Sequence, residues 1–192
     1  MTLNIAVCIK QVPNTTKVRI DKKTGRLIRK GIESIFNPDD KHALEAALQL
    51  KDIHPNTIIT VITMGPKQAA SVLEEAITMG ADRGILLSDR KFAGSDTLAT
   101  STILATALQK LKHECGLDIV FCGRQAIDGD TAQVGPQIAE YLGFPLISYA
   151  KQITLDLPHF SIQAQRSFET GTYTISSPLP VLITVITESN TP

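Results

Sequence analysis

The sequence predicts an α/β fold built on a doubly wound, mostly parallel sheet with added antiparallel edge strands. Short apolar runs typical of buried strands alternate with amphipathic helical patterns over residues 1–150, and apolar residues make up 43% of the chain. Parallel neighbouring strands need a crossover connection, usually a helix packed on the sheet. We therefore expect residues 1–150 to form the α/β core and residues 151–192 to add antiparallel strands to the same domain.

The core strands are predicted from runs rich in valine, isoleucine and threonine. Such runs, without a polar face, are typical of parallel strands that are buried on both sides. We expect five parallel strands, with the first and the fourth adjacent at the centre of the sheet. They span residues 3–9, 57–64, 84–87, 118–122 and 146–149.

Helical patterns separate these strands, and each opens with residues typical of a helix N-terminus. Proline suits a first helical turn, and aspartate there faces the positive end of the helix dipole. Glycine directly after a helical pattern is typical of its C-terminal end. The predicted helices begin at Asn37-Pro38, Gly65-Pro66, Ser95-Asp96 and Thr131, and the last three end near Met79, Cys115 and Leu142.

Two parts of the chain lack this alternation. Residues 17–20 and 26–28 flank the polar stretch 22–25, which predicts a hairpin. After Tyr149, strand-like runs follow one another without helices, and we expect them to pair antiparallel at an edge of the sheet. These runs are residues 153–155, 161–165, 172–176 and 181–186.

Composition excludes several classes of protein. The 19 basic and 19 acidic residues give a formal net charge of zero, without the basic surface typical of nucleic-acid binding. No apolar run approaches the roughly 20 residues of a membrane-spanning helix, so we expect no membrane insertion and a cytoplasmic location. The 3 cysteines form no C-x-x-C pair and the 4 histidines have no ligand spacing, so we expect reduced thiols and no metal site.

The most informative segment is residues 123–136, directly after the fourth predicted strand. Ligands of open α/β sheets bind at the carboxyl ends of strands, and the free N–H groups of a helix N-terminus attract anions. Gly129 leaves room for a phosphate to approach closely, and Thr131 can cap the helix or bond a phosphate oxygen. The residues alone equally allow an ordinary strand-to-helix loop with Asp130 or Thr131 as the cap.

Two acidic residues in this segment would repel a pyrophosphate if they pointed at it. We expect Asp128 and Asp130 to accept hydrogen bonds from ribose hydroxyls, an adenine amino group or loop amides, with Arg124 as the counter-charge. Residues 37–40 and 8–13 also carry hydrogen-bonding groups near element ends, although residues 37–40 equally suit simple helix capping. If the first and fourth strands are neighbours, these segments share one crevice.

Common catalytic and phosphate-binding motifs are absent from the sequence. The first strand is not followed by G-x-G-x-x-G, and there is neither a P-loop nor a G-x-S-x-G elbow. No nucleophile has an obvious base beside it. The sequence therefore predicts a nucleotide-like site without catalytic machinery.

Several groups of residues resemble the electron transfer flavoprotein beta subunit family. Residues 7–13 (VCIKQVP) resemble its opening, and residues 37–47 resemble its N-P-x-x-x-x-A-[VL]-E-x-A segment. Residues 65–66 and 76–83 (AITMGADR) resemble its G-P and A-x-x-M-G-A-D-[RK] elements. Residues 123–133 (GRQAIDGDTAQ) resemble the signature G-[KR]-Q-A-I-D-x-D-x-x-Q, and the resemblance extends over residues 3–192.

The resemblance implies a Rossmann-like fold of the adenine-nucleotide-binding type and a heterodimer with an alpha subunit. In this family the beta subunit binds AMP in carriers that serve flavoprotein dehydrogenases such as acyl-CoA dehydrogenases. It binds a second FAD in the electron-bifurcating type, whose complexes oxidise NADH, and residues 93–101 and 129–133 resemble that type. By position, the nucleotide site corresponds to Cys8, Asn37, Pro38, Asp39, Asp40, Met64, Gly123, Arg124, Gln125, Ala126, Ile127, Asp128, Gly129, Asp130, Thr131, Ala132, Gln133 and Val134.

The function implied by the resemblance is that of an electron carrier subunit rather than an enzyme. A nucleotide-binding regulatory module similar to universal stress proteins is the main alternative, and an adenylating enzyme of the same broad fold is a third. Family members continue past the position of Pro192 into a loop that recognises dehydrogenases and an arm that embraces the alpha subunit. We therefore expect this chain to bind both partners weakly.

Overall fold

The computed structural model describes residues 2–14 and 33–192, together with the backbone pairing of residues 19–20 with 27–28. The strands are β1 (Leu3–Cys8), β2 (Gln11–Pro13), β3 (Arg19–Ile20), β4 (Leu27–Ile28), β5 (Ser34–Phe36), β6 (Thr57–Met64), β7 (Arg83–Leu87), β8 (Ile119–Gly123), β9 (Leu146–Asp156), β10 (Ser161–Phe168), β11 (Gly171–Pro178) and β12 (Val181–Val185). The α-helices are α1 (Pro38–Ile53), α2 (Ala70–Met79), α3 (Thr97–Cys115) and α4 (Val134–Leu142), and short 3₁₀ turns span Lys67–Ala69, Arg90–Phe92 and Thr187–Ser189.

The main sheet has the strand order β11-β10-β9-β12-β8-β1-β6-β7. The strands from β9 to β7 in that order pair in parallel, whereas β10 and β11 pair antiparallel at one edge. The predicted fold class is therefore confirmed. The predicted contact between the first and fourth core strands is also confirmed, since β1 and β8 are direct neighbours with Cys8 opposite Cys122.

The last strand corrects the prediction for the end of the chain. We expected residues 181–186 to pair antiparallel at an edge, but β12 lies between β8 and β9 and is parallel to both. Every residue of β12 is buried, as is typical of a strand covered on both faces. The β10–β11 hairpin stands between β9 and β12 in the chain, where a helix connects the other parallel strands. In the described residues, the parallel part of the sheet therefore has six strands rather than five.

Strand β9 joins two runs that the sequence suggested were separate. It continues through residues 146–156, and the irregular register near Tyr149, whose φ is 59°, bends it without ending it. The division expected between residues 150 and 151 therefore falls inside one strand. That residues 151–192 belong to the same domain as the core stays a prediction.

Helices cover both faces of the sheet, because alternate strand residues point to opposite sides. Ile5 and Val7 of β1 belong to a cluster that includes the apolar residues of α1 and α2. Ala6 and Cys8 belong to a second cluster with the apolar residues of α3 and α4. Both clusters are buried, and this two-sided core holds the carboxyl ends of the parallel strands at one edge.

The ends of the helices mostly follow the prediction. Pro38 begins α1, Gly80 ends α2, and Asp96 caps α3 by accepting the N–H of Ala99 at 2.8 Å. The fourth helix begins at Val134 and not at Thr131, because Asp130 and Ala132 have positive φ angles of 51° and 52° that no helix accommodates. Neither Asp130 nor Thr131 is therefore its cap.

Shorter strands connect β1 to α1. The predicted hairpin has its β3–β4 pairing, while residues 17–18 and 21–26 lie outside the described residues. Strand β2 pairs with β5, a pairing that the sequence did not predict. Together with a hydrogen bond from the Asn37 N–H to the Lys10 carbonyl at 2.9 Å, this pairing places the start of α1 beside the end of β1.

Candidate functional site

A cleft of about 1160 Å³ opens at the carboxyl ends of β1, β6 and β8. It lies at the edge where ligands bind in open α/β sheets, and the N-terminal residues of α3 and α4 line it. Most of the predicted nucleotide-site residues meet there. Those that line the cleft are Cys8, Asp40, Met64, Gly123, Arg124, Gln125, Ala126, Gly129, Asp130, Thr131, Ala132, Gln133 and Val134.

Five of the predicted residues are not part of this lining. Asn37, Pro38, Asp39, Ile127 and Asp128 do not line the cleft in the part of the chain that the structure describes. Asn37 is fully buried, and its side-chain amide donates to the Gln125 carbonyl at 2.8 Å and accepts from the Ile127 N–H at 3.1 Å. The cap bond that Asn37 could have made to α1 is absent, and its side chain instead holds the loop of residues 124–133. That Asn37 contributes to a nucleotide site stays a prediction.

The cleft also includes a segment that is not among the predicted site residues. Residues 88–90, 92–97 and 100 line the cleft, as do Lys10, Gly65, Pro66 and Lys67. In the sequence, residues 93–101 show only a resemblance to one type of the family. The rule that placed residues 123–134 at the site also applies here, because residues 88–97 connect the carboxyl end of β7 to the N-terminus of α3.

The loop of residues 124–133 has a defined backbone. The N–H groups of Gly129 and Asp130 both donate to the Ala126 carbonyl, at 3.2 and 2.9 Å. The side-chain amide of Gln125 donates to Asp130 at 2.7 Å. A Cβ atom added at Gly129 would have no heavy atom within 4 Å. Gly129 is one of the residues that line the cleft, and the protein leaves open space where its side chain would be.

Cationic side chains pair with two of the acidic residues around this loop. The ammonium group of Lys10 lies 2.7 Å from a carboxylate oxygen of Asp128. The Nε of Arg124 lies 3.4 Å from Oδ2 of Asp39. Burial raises the pKa of Asp39, and the Arg124 charge acts in the opposite direction. Two of the acidic groups that would repel an anionic ligand are thus neutralised by partners of this chain.

Close packing fixes the two glycines at the floor and side of the cleft. A Cβ on Gly123 would lie 2.7 Å from the Asp40 amide nitrogen, and one on Gly135 would lie 2.7 Å from the Thr184 methyl group. Real Cβ atoms do not approach other atoms so closely. Gly123 therefore allows β8 to touch the start of α1, and Gly135 allows α4 to touch β12.

Comparisons with known proteins agree with this architecture. A family model described as the electron transfer flavoprotein domain matches residues 24–192. The electron transfer flavoprotein subunit beta of Clostridium acetobutylicum is 53% identical over 190 residues, which cover 99% of this chain and 71% of the relative. The Megasphaera elsdenii protein of the same name is 50% identical over 193 residues, covering 99% and 71%.

This chain belongs to the electron transfer flavoprotein beta subunit family.

A third relative carries a different name. The caffeyl-CoA reductase-Etf complex subunit CarD of Acetobacterium woodii is 50% identical over 190 residues, covering 99% of this chain and 71% of the relative. Family membership makes this chain an electron-transfer subunit, associated with flavoprotein chemistry and with an alpha-subunit partner. It decides against the stress-protein-like module and the adenylating enzyme as alternatives.

The beta subunit keeps two thiols at the floor of its cleft. Cys8 and Cys122 are buried and face each other on neighbouring strands. A hydrogen bond from Cys8 and burial both raise the pKa of the Cys122 thiol, so it stays protonated.

Among the described residues, no helix is long and apolar enough to cross a membrane, and no cluster of side chains is arranged to hold a metal ion.

Proposed function

We propose that the cleft holds an adenine nucleotide, FAD or AMP, as part of an electron-transferring heterodimer. The observation that carries this proposal is the open space in front of Gly129, in a loop between the carboxyl end of β8 and the N-terminus of α4. Backbone N–H groups at helix N-termini favour phosphate, and a glycine lets it approach. The residues present therefore suit a phosphate-containing ligand.

The chain's own residues divide into those that would contact the nucleotide and those that hold the contacting loop in place. Residues 129–134 would contact the phosphates and ribose, while Met64, Ala126 and Val134 supply apolar surface. Lys67 and Arg90 line the cleft and would supply positive charge toward an anionic ligand, while Arg124 offsets the charge of Asp39. FAD, when bound, supplies the capacity to accept and release electrons. The protein orients it and limits its exposure to water.

The size of the cleft favours FAD over AMP. At about 1160 Å³ it exceeds the roughly 300–1,000 Å³ of most small-molecule pockets. It extends from residues 123–134 to residues 88–97, and AMP lacks the flavin portion that would reach along this length. The beta subunit of a bifurcating type, working with an alpha subunit, is thus the function we propose. Redox partners would include a flavoprotein dehydrogenase such as an acyl-CoA dehydrogenase.

The decisive experiment counts nucleotides in the heterodimer. We expect two FAD molecules per heterodimer after co-expression with the alpha subunit, measured by flavin absorbance and by chromatography of the released nucleotides. One FAD and one AMP would show that the simple carrier type is correct. Absence of nucleotide from the beta subunit would overturn the proposal.

A graded series at Gly129 tests the site itself. We expect Gly129→Ala to weaken nucleotide binding modestly and Gly129→Val to weaken it at least tenfold, because larger side chains fill the space that the phosphate needs. Affinity for AMP and FAD is measured by calorimetry, with circular dichroism to check folding. Thr106→Val, an exposed substitution on α3 outside the cleft, is the control. Equal affinity across the series would contradict the assignment.

A further inference from the structure

Asp40 lies where the two central strands of the sheet end. Its Oδ2 accepts the Lys10 N–H at 2.8 Å, just beyond β1, and its Oδ1 accepts the Gly123 N–H at 3.2 Å, at the end of β8. Its residue surface is 7% exposed, and it lines the cleft. One carboxyl group thus joins three elements, because Asp40 itself belongs to the first turn of α1.

We propose that Asp40 is a positioning residue, which ties the ends of β1 and β8 together and sets the shape of the nucleotide cleft. This inference rests on the proposed function, because it assigns a role within the same site. It differs from the expectation that Asp40 contacts the nucleotide directly. The two oxygen atoms are both engaged by backbone N–H groups of the protein.

Packing at Gly123 supports this role independently of the hydrogen bonds. The side chain that glycine lacks would overlap Oδ1 of Asp40 and lie 2.6 Å from the Asp39 carbonyl carbon. The end of β8 therefore reaches the first turn of α1 only because residue 123 has no side chain. The carboxyl group fits the space that remains, and it has little freedom to turn toward a ligand.

Both of the tied positions lead directly into the wall of the cleft. Gly123 is followed by the loop of residues 124–133, and Lys10 carries the ammonium group that pairs with Asp128 in that loop. A shift of either strand end would move the residues that face the phosphate. Asp40 thereby acts on the nucleotide through the backbone and not by touching it.

The charge of Asp40 provides a direct way to observe its hydrogen bonds to the ends of β1 and β8. Burial raises its pKa to about 7, against the hydrogen bonds from Asn37, Lys10 and Gly123, and Asp39 adds a like charge from the same turn. Cys122 of β8 interacts with it, and Arg124 pairs with Asp39. As the pH falls through about 7, the carboxyl group gains a proton. The chemical shifts of the Lys10 and Gly123 amides, which donate hydrogen bonds to it, should change as a result.

The first measurement is a pH titration of the 192-residue chain by amide nuclear magnetic resonance. We expect the Lys10 and Gly123 amide shifts to titrate together with a midpoint near pH 7. Asp40→Asn should abolish this titration, whereas Asp52→Asn, on the exposed face of the same helix, should leave it unchanged. Amides that do not titrate together in the wild-type chain would overturn the proposal without use of any variant.

The second measurement separates a positioning residue from a ligand contact. In the heterodimer, we expect Asp40→Asn to lower the affinity for AMP and the affinity for 2′-deoxy-AMP by the same factor, about tenfold. The factor is the same because the lost hydrogen bonds are internal to the protein. A loss that disappears when the ribose hydroxyl is removed would identify Asp40 as a direct contact and refute the inference. If wild-type protein binds neither of these nucleotides and no FAD, the proposed function fails, whereas the amide titration still tests the connection between the two strand ends.

Discussion

Two segments of the cleft wall are held in different ways. Residues 124–133 are fastened by groups far away in the sequence, since Asn37 bonds Gln125 and Ile127, and Lys10 pairs with Asp128. Residues 88–97 are held mostly by near neighbours, such as Asp89 with the Lys91 N–H and the Ser95 hydroxyl with the Phe92 carbonyl.

One hydrogen bond joins the two segments, from the Thr97 hydroxyl to Gln133 at 2.9 Å. This difference shows which part of the cleft wall depends on contacts with the rest of the fold. The first segment keeps its shape only while α1 and β1 are in place, whereas the second is shaped largely by its own sequence. Substitutions at the distant anchors should therefore cost more than substitutions at the local caps.

The largest expected effect comes from Asn37→Ala. This change leaves the Ile127 N–H and the Gln125 carbonyl without their buried partner, so we expect the free energy of unfolding to fall by about 2–4 kcal/mol. Nucleotide affinity should fall as well, because the loop loses its anchor. Urea unfolding with a calorimetric binding assay measures both quantities. A loss below about 1 kcal/mol would show that the loop holds itself without α1.

The second effect concerns the anchor Asp40 and the pH dependence of stability. Its pKa rises from 3.8 to about 7 on folding, so between those values the unfolded chain loses a proton that the folded chain keeps. This group therefore makes stability fall as pH rises from about 4 to about 7, and above pH 7 its effect is constant.

Asp40→Asn removes this downward contribution. Between about pH 4 and pH 7 we therefore expect the stability of the variant to change more favourably with rising pH than that of the wild type, by a few kcal/mol over the full range. Urea unfolding at intervals between pH 4 and pH 8 gives the slope for each protein. Parallel curves for the two would mean that Asp40 ionises in the folded chain as it does in the unfolded one.

The smallest effect is expected in the locally held segment. Asp96→Ala removes the cap of α3, and such a loss costs about 1 kcal/mol. Asp96→Asn should retain most of the stability, since asparagine is an equally good cap. Both are measured by the same urea assay. If Asp96→Ala cost as much as Asn37→Ala, the contrast between the two segments would be wrong.

Much of the fold followed from local patterns. The continuous apolar runs identified the core strands, and the helices began or ended at Pro38, Gly80 and Asp96 as expected. The loop after β8 was identified because it is polar, contains glycine and follows a buried strand. The same rule applies to residues 88–97, but they contain no comparably long motif, so the predicted site does not include them.

The sequence by itself determined the fold class, the central place of β1 beside β8, and the loop that faces the cleft. Local backbone preferences and the burial of apolar strands fix these features, and both can be read along the chain. Only the tertiary structure decided that β12 inserts between β8 and β9, since a buried strand has the same composition whichever neighbour it pairs with. It also decided that Asn37 bonds the Ile127 N–H and that Asp40 bonds the Gly123 N–H, because a polar side chain gives no indication in sequence of which distant N–H group it will meet.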